Sequence, residues 1–314
     1  MNILDRKSPL IINHEAPATN EKDYHTIHQG KATNTLVKFK TKISDPAQLN
    51  IYGVGVIEEK DFKLSIEKYS ELTNGIKPTA KILLDALIIT ATESGKNNTE
   101  VLLPLAEYMK MRGLRDVKSA RKQVKNDLEA LFRISLSFSE TRRHKKESYV
   151  DMRICSTKGI VKGVIVCNFN QDFYKLIKGY PVMPYPKEIF TFNPKYNPNS
   201  VNLLRRIAEH KNMNFNKTNG DIIGVKTLMK ACFALPNYND LGEAKQVNAR
   251  IIEPFERDMN AIKSFKWEYS GKNGKATTPF TYEEFIQANI KVIWEKYPPR
   301  KTKRRTSKKQ TEEK

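Results

Sequence analysis

The chain alternates between stretches whose apolar residues recur at helical spacing and stretches in which apolar and polar residues alternate. Helical spacing indicates an amphipathic helix, and alternation indicates a half-buried strand. The first pattern predicts helices over residues 78–93, 105–111, 116–133, 171–177, 200–210, 224–233, 240–253 and 282–297. The second predicts strands over residues 36–40, 51–57, 62–66, 101–103, 134–138, 149–155, 161–169, 265–269 and 277–281.

One order of elements occurs twice, with its core in Leu102–Ser156 in the first half and in Ile222–Thr278 in the second. Each copy predicts a helix, a shorter helix, a tight turn, a second helix with a polar or basic outer face, and a hairpin with a basic tip. A helix-turn-helix followed by a β-wing is a shape that reads DNA. The sequence therefore predicts an α+β fold of two tandem winged-helix (helix-turn-helix plus β-wing) domains with flexible termini.

The same patterns divide the chain into four segments. Residues 1–35 are polar and predict a flexible N-terminal arm. Three prolines between Gly179 and Pro186 mark the boundary between a first winged-helix domain, residues 36–180, and a second, residues 181–297. Residues 298–314 are predicted to form a basic disordered tail. Such a tail adds affinity for DNA of any sequence, because its cations release counterions from the duplex. The alternative for this tail is a terminus that only aids solubility.

The charge balance of the chain favours a polyanionic partner. Lys and Arg number 55 against 35 Asp and Glu, so the formal charge is +20 over 314 residues, with a sequence pI near 9.7. Such a field attracts nucleic acid. An anionic membrane surface is the other candidate, but no apolar run is long enough to span a bilayer and no basic amphipathic helix stands apart from the predicted domains.

Motifs for catalysis, metal binding and secretion are missing from the sequence. There are three cysteines, an odd number without a CxxC pair, which argues against disulfides or zinc and favours a reducing cytoplasm. The first ten residues lack the apolar core of a signal peptide. His25 and His28 form an isolated HxxH in the arm, and Gly95-Lys96 lacks the rest of a phosphate-binding loop. We therefore predict no catalytic residues, no metal and no cofactor.

Candidate DNA contacts in the first half lie on the predicted helix 116–133 and on the hairpin that follows it. The helix carries Lys118, Arg121, Lys122 and Lys125 on one flank, where a helix lying against DNA meets phosphates. The alternative is an ordinary solvated face. A basic hairpin tip then supplies a candidate wing, whose alternative role is protection of the hairpin against aggregation. Its cations are Arg142, Arg143, Lys145 and Lys146.

Candidate base-reading residues lie on the predicted helix of the second half. Gln246 and Arg250 are four residues apart, so they share one helix face, and Gln and Arg form bidentate contacts with adenine and guanine edges. Ala249 lies between them and can contact a thymine methyl group, and Lys245 lies on the flank. Glu243 and Glu253 lie near this face and repel phosphate, so a polar face without a ligand stays an alternative. Lys272 and Lys275 are the basic residues of the second predicted wing.

The chain resembles the iteron-binding Rep family of plasmid replication initiators, which are built from two winged-helix domains. The resemblance is diffuse, extends over about Leu36–Tyr297, and rests on the order and spacing of elements and on a few residue types. In the first half, Leu103–Met109 and Ser119–Leu131 resemble the family's first helix-turn-helix, and Gly163–Phe173 resembles its domain-closing segment. In the second half, Asn202–Ala208 resembles its opening helix. Arg250–Asn260 resembles its pattern of a basic residue, two aliphatics, a proline and a closing Asn.

This resemblance implies a function. Such proteins bind repeated double-stranded DNA sites at a plasmid origin, open the adjacent DNA, recruit the host helicase and primase, and in many cases repress their own gene. They exchange between a homodimer, formed through the first domain, and a DNA-binding monomer. Carried onto this chain, the main reading helix is Leu241–Ile252, with Lys245, Gln246, Ala249 and Arg250 facing DNA. A two-domain transcriptional repressor and, more remotely, an origin-nicking enzyme are the alternatives.

Overall fold

The computed structural model describes residues 23–30, 55–59, 62–66, 77–95, 97–140, 148–241, 246–270, 279 and 281–298. Three strands precede the first helix. They are β1 (Tyr24–His28), β2 (Gly55–Glu59) and β3 (Phe62–Ile66).

A first unit of helices and strands follows, and its helices were predicted from the sequence. Pro78 occupies the first turn of α1, where its missing N–H is not needed. Asp116 caps α3 as predicted. The elements are α1 (Pro78–Glu93), β4 (Glu100–Pro104), α2 (Leu105–Arg112), α3 (Val117–Phe132), β5 (Ile134–Glu140), β6 (Ser148–Arg153), β7 (Cys155–Val161), β8 (Val164–Phe169) and α4 (Gln171–Lys178).

A second unit follows, without a counterpart of the β5–β6 hairpin and with a helix between its last two strands. Its elements are β9 (Val182–Pro186), a 3₁₀ turn (Lys187–Phe190), α5 (Ser200–Met213), β10 (Ile222–Gly224), α6 (Val225–Met229), a 3₁₀ turn (Tyr238–Leu241), a π turn (Asn248–Ile252), α7 (Glu253–Asn260), β11 (Phe265–Ser270), α8 (Tyr282–Gln287) and β12 (Asn289–Trp294). The π turn runs directly into α7, and we call the two together the 248–260 helix.

The sheets of the two units have the same topology. The first is antiparallel with the order β4-β8-β7, and the second is antiparallel with the order β10-β12-β11. In both units, the first residue of the short second helix donates its N–H to the carbonyl oxygen of the residue just before the last strand. The pairs are Leu105 N–H to Gly163 O and Val225 N–H to Ala288 O, at 2.9 Å each. Three helices and a three-stranded sheet with a returning hairpin define a winged helix. The predicted fold class, α+β with two tandem winged-helix units, is confirmed.

The wing of the first unit differs from the prediction. The hairpin β5–β6 pairs with β3 and β2 in a separate four-stranded sheet. The strand predicted over residues 161–169 contains β8 and the turn before it, and β7 was not predicted. The wing strands are instead β7 and β8. They are joined by Lys162 and Gly163, whose φ angles of 49° and 80° suit the tight turns of twisted hairpins. The sequence analysis missed this turn because Gly163 lies inside an apolar run.

The second unit differs from the prediction at its third helix and at its last strand. The predicted helix 240–253 begins later and ends later, because Pro254 is accommodated in the first turn of α7 rather than ending the helix. The predicted closing helix 282–297 is only six residues long, and the rest is strand β12. Ile290 and Val292 are buried while Lys291 and Ile293 are exposed, which is the period of a strand. The predicted returning strand 277–281 is wrong at Thr281, because this residue caps α8 instead of belonging to a strand.

Two segments near the predicted boundaries are more ordered than expected. Tyr24–His28, assigned to a flexible arm, forms strand β1 and pairs antiparallel with β9. The proline-rich segment predicted to separate the domains includes β9, all five residues of which are buried. The buried apolar residues of both units and of these strands form one contiguous cluster. The boundary at residue 180 therefore lies inside a packed region rather than in an exposed linker.

Candidate nucleic-acid interface

The third helix of the first unit, α3, is held by a cap and a buried stripe. The Asp116 carboxylate accepts hydrogen bonds from the Ser119 hydroxyl and from the N–H groups of Lys118 and Ser119, the last two at 3.1 and 3.2 Å, and these bonds lower its pKa. Such caps satisfy amide groups that have no partner within the helix. The stripe turned to the core consists of Ala120, Val124, Asp127, Leu128, Ala130 and Leu131. The opposite face is therefore free for a ligand.

That outer face carries all four predicted phosphate contacts of α3. Lys118, Arg121, Lys122 and Lys125 are exposed, and none forms an ion pair with another described residue. Val117, the first residue of α3, has 56% of its surface exposed. An apolar side chain beside four cations is the type of group that contacts thymine methyl groups.

The wing of the first unit contributes little free charge. Lys162 is exposed at the tip of the β7–β8 hairpin. Lys158, on β7, forms an ion pair with Glu129 of α3, and Arg133 binds the same carboxylate at 3.2 Å. The cations of the predicted wing, Arg142, Arg143, Lys145 and Lys146, lie outside the described residues, so their contact with DNA stays a prediction.

The 248–260 helix is anchored differently. The Glu253 N–H donates to Asn248 O, five residues back, which opens the helix into a π turn just before Pro254. A π turn accommodates a residue that lacks the N–H of an α-helix, and π turns are frequent at functional sites. Its buried side chains include Ile251, Ile252, Phe255, Asp258 and Met259.

The predicted base-reading residues lie together at the start of this helix. Gln246, Ala249 and Arg250 are exposed, and the Arg250 N–H donates to Gln246 O at 3.0 Å, so the two polar residues are one turn apart as predicted. Glu253 is also exposed, so its carboxylate lies near this face, where it repels phosphate. Three further predicted contacts, Lys245, Lys272 and Lys275, lie outside the described residues.

The sequence analysis missed two exposed polar residues of the 248–260 helix. Asn248 lies between Gln246 and Arg250. Arg257 is exposed as well, but its guanidinium is 3.2 Å from the buried carboxylate of Asp258. A kink or restart was predicted at Pro254, and the predicted contacts stopped before it, at Arg250, so Arg257 was not considered. Asn248 could have been found, because it is polar and lies on the same turn as Gln246 and Arg250.

Both third helices are tied to the first helix of their unit by a buried aspartate. In the first unit, Thr79 of α1 donates to Asp127 Oδ1 at 2.8 Å, and Oδ2 has no partner among the described residues. Burial raises the pKa of Asp127 to about 6, against the opposing effect of the Thr79 hydrogen bond. In the second unit, Asp258 Oδ2 accepts from both the backbone N–H and the side chain of Asn199, at 3.1 and 2.9 Å.

The described residues offer no arrangement typical of a metal site. No group of three or more His, Cys, Asp or Glu side chains in this part of the chain is placed to hold a metal ion. His25 binds Glu93 at 3.1 Å and His28 binds Tyr180 O at 2.9 Å, so each of these histidines has its own partner. Cys155, Cys167 and Cys232 are buried free thiols. Among the described helices, none is long and apolar enough to cross a membrane.

Comparisons with known proteins found similarity only at the level of solved structures. No family model and no curated protein matches the chain. A crystal structure of domains 2 and 3 of RctB is 10% identical over 83% of this chain and 98% of that one, with a TM-score of 0.47. A second structure of RctB domains 2–3 is 10% identical over 83% of this chain and 96% of that one, with a TM-score of 0.42. The WH1 domain of MSBI1.176, a replication protein isolated from a multiple sclerosis patient, is 20% identical over 33% of this chain and 81% of that one, with a TM-score of 0.29.

Proposed function

We propose that this protein is a replication initiator that binds double-stranded DNA through its two winged helices. One observation carries the DNA-binding part. Four exposed cations, Lys118, Arg121, Lys122 and Lys125, lie on the outer face of the third helix of a winged-helix unit, and none has an ion-pair partner among the described residues. Cations in this position contact phosphates, which hold the protein on the duplex regardless of sequence.

The second unit supplies sequence recognition in this proposal. Gln246, Asn248 and Arg250 are exposed at the start of the 248–260 helix, where a recognition helix contacts base edges. Arg and Gln are suited to bidentate contacts in the major groove. The first unit therefore contributes most of the affinity, and the second contributes most of the specificity.

The replication role is supported by the resemblance of the sequence to plasmid initiators with two winged helices. In this role the protein binds repeated sites at a plasmid origin in the bacterial cytoplasm, promotes opening of the adjacent DNA, and recruits the host helicase and primase. It exchanges between a homodimer and a DNA-binding monomer, and the dimer represses its own gene. It acts through binding alone, without catalysis or a cofactor.

Protection mapping and plasmid maintenance test the proposal together. The DNA flanking the gene is mapped for protected sites with the purified protein, and the same region is placed with the gene on a plasmid that has no other origin. We expect protected sites spaced by about one helical turn or its multiples, and maintenance of the plasmid. The double variant Lys118→Glu, Arg121→Glu loses both, whereas Lys175→Glu, Lys178→Glu, an equal change of charge on α4, keeps both.

Other outcomes assign the protein to other classes. Protected sites and repression of a reporter gene without plasmid maintenance contradict the initiator role and identify a repressor. Metal-dependent cutting of supercoiled DNA that carries the protected sites identifies a nicking enzyme. Equal loss of binding in the α3 variant and in the α4 control contradicts the assignment of the phosphate contacts.

A further inference from the structure

The two winged helices are in direct contact through their first helices, α1 and α5. Strand β9 contacts α5, and β1, its antiparallel partner, contacts α1. Tyr185, the fourth of the five residues of β9, is fully buried. This region is the proline-rich segment that the sequence marked as a domain boundary. In the fold it is the place where the two units are joined.

Three polar side chains close a hydrogen-bonded triangle at this contact. Tyr185 donates its hydroxyl hydrogen to Asp85 Oδ2 of α1 at 2.8 Å, and the Arg205 guanidinium of α5 binds the same oxygen through Nη2. Arg205 Nε also donates to the Tyr185 hydroxyl at 3.1 Å. Asp85, Tyr185 and Arg205 are 3%, 0% and 4% exposed. We call these three residues the interunit joint.

The interunit joint is charged at neutral pH. Burial lowers the pKa of Arg205 to about 10, which still leaves the guanidinium protonated, and burial raises the pKa of the Tyr185 hydroxyl. A buried ion pair resists separation, because removing one partner leaves the other charge without compensation in a low-dielectric interior. Its hydrogen bonds are also directional, so the joint specifies a geometry as well as a contact.

Strand β1 adds a second connection between the units. At the end of α1, Glu93 accepts a hydrogen bond from the Thr26 N–H at 3.0 Å and contacts His25 at 3.1 Å. At the first residue of the strand, the Tyr24 hydroxyl donates to Lys296 O, just after β12, and the Tyr24 ring packs edge to face on Tyr297. One strand is thus bonded to the first helix of the first unit and to the last segment of the second.

The joint completes a polar connection from one third helix to the other. Asp127 ties α3 to α1 through Thr79, the joint ties α1 to α5, and Asn199 ties α5 to Asp258 of the 248–260 helix. Units of one chain are expected to move relative to each other unless their interface is large and apolar, and directional polar contacts restrict such motion further. Here each step from helix to helix is fixed by a hydrogen bond to a buried carboxylate.

We infer that the interunit joint fixes the distance and angle between the two third helices, so that the protein reads one composite DNA site of a single spacing. The DNA part of this inference rests on the proposed function. Asp85, Tyr185 and Arg205 are thus positioning residues, which set the length of the site without touching it.

A distance measurement tests the joint without DNA. Spin labels are attached at Asn126→Cys on α3 and Glu253→Cys on the 248–260 helix, two exposed positions. The same chain without the added cysteines is labelled in parallel to show that the three buried thiols do not react. We expect one narrow distance distribution for the native joint and a broader one for Tyr185→Phe. The double variant Asp85→Leu, Arg205→Met is expected to be broader still, and it keeps an apolar core that can fold.

The control for this measurement removes an ion pair of the same helix outside the joint. Lys211 of α5 is 2.6 Å from Asp221, and Lys211→Met, Asp221→Asn should leave the distribution narrow. A distribution that stays narrow in the Asp85→Leu, Arg205→Met protein overturns the inference. Equal broadening in the control also overturns it, because the effect then belongs to α5 in general.

A spacer series tests the consequence for DNA. Base pairs are inserted between the two halves of a protected site, and about five of them turn one half to the opposite side of the duplex. We expect the native protein to lose at least about tenfold in affinity, whereas the double variant of the joint loses much less, because its units dock independently. A merely destabilising effect lowers binding at every spacing alike and overturns the inference. If no fragment is bound specifically, the proposed function fails, while the spin-label distances still decide whether the joint is rigid.

Discussion

The two third helices are built on one plan beneath the surface. Counted from the first residues, Val117 in α3 and Asn248 in the 248–260 helix, the eleventh residue of each is a buried aspartate. Four other buried positions coincide, namely Ala120 with Ile251, Val124 with Phe255, Leu128 with Met259 and Leu131 with Ile262, whereas Ile252 is buried at the position of the exposed Arg121. The side that packs into the unit is therefore equivalent in the two helices.

The two helices differ in charge at the positions of the α3 cations. The positions of Lys118, Arg121, Lys122 and Lys125 are taken in the second helix by Ala249, Ile252, Glu253 and Glu256. The second helix keeps its polar groups at its start instead, in Gln246, Asn248 and Arg250. A duplicated scaffold thus separates two tasks, because cations along a whole helix hold phosphates while a few side chains at a helix start reach base edges.

The largest expected effect is the loss of phosphate contacts on the first unit. Replacing Lys118, Arg121, Lys122 and Lys125 together by Ala removes about four phosphate contacts. The slope of log K against log salt should become shallower by about 3.6, which at physiological salt corresponds to about three orders of magnitude in affinity. Titration of specific and random DNA between low and high salt measures both quantities.

Reversing the charge at an equivalent position of the second helix sharpens this result. Glu253→Lys places a cation where α3 has Lys122, so it should raise affinity for random DNA. If the α3 variant keeps the native salt slope, or if Glu253→Lys has no effect on binding, the two outer faces do not divide the work as stated.

The comparison also explains what the sequence could predict. Helix α3 was predicted correctly because its signals are local. Asp116 marks its cap, and an unbroken apolar stripe marks the buried side and thereby the basic face. The 248–260 helix was misplaced because Pro254 usually ends a helix, and only the π turn before it makes the continuation possible. Strand β12 was mistaken for a helix because its apolar residues continue the pattern of α8.

Residues that act through distant partners gave no usable signal in the sequence. Asp85 and Arg205 are 120 positions apart, and nothing near either residue indicates a partner. Asp127 and Asp258 look like ordinary surface acids of amphipathic helices in the sequence. Their burial depends on Thr79 and Asn199, which lie 48 and 59 positions away. Local pattern therefore predicts the elements, whereas tertiary contacts decide how they are joined.

The two buried aspartates should differ in their contribution to stability. Asp258→Ala leaves the Asn199 amide groups without an acceptor, and it should lower the free energy of unfolding by about 3 kcal/mol. Asp127→Ala removes one hydrogen bond but also a poorly compensated buried charge, so it should cost less than about 1 kcal/mol. Urea denaturation at pH 7 measures both. Equal costs would mean that the two carboxylates are equally engaged.

Base reading by the second helix should depend on Arg250. Arg250→Ala is expected to weaken binding to a specific site by about 2 kcal/mol and to leave affinity for random DNA nearly unchanged. Lys195→Ala removes the same charge from an exposed position before α5, and it should change neither. An equal loss on specific and random DNA would move Arg250 from the base-reading group to the phosphate contacts, and the second unit would then resemble the first.

The smallest expected effect concerns the pH dependence of Asp127. Its pKa of about 6 in the folded protein lies above the value near 4 of the unfolded chain. Between these values the folded protein binds a proton that the unfolded chain does not bind, so stability should rise as the pH falls. Between pH 7 and pH 5 the gain should be about 1 kcal/mol, and Asp127→Asn should abolish it. Urea denaturation at a series of pH values measures it in both proteins. An identical pH profile in the two would show that Asp127 has a partner as good as that of Asp258, and the anchoring of the two third helices would then be alike.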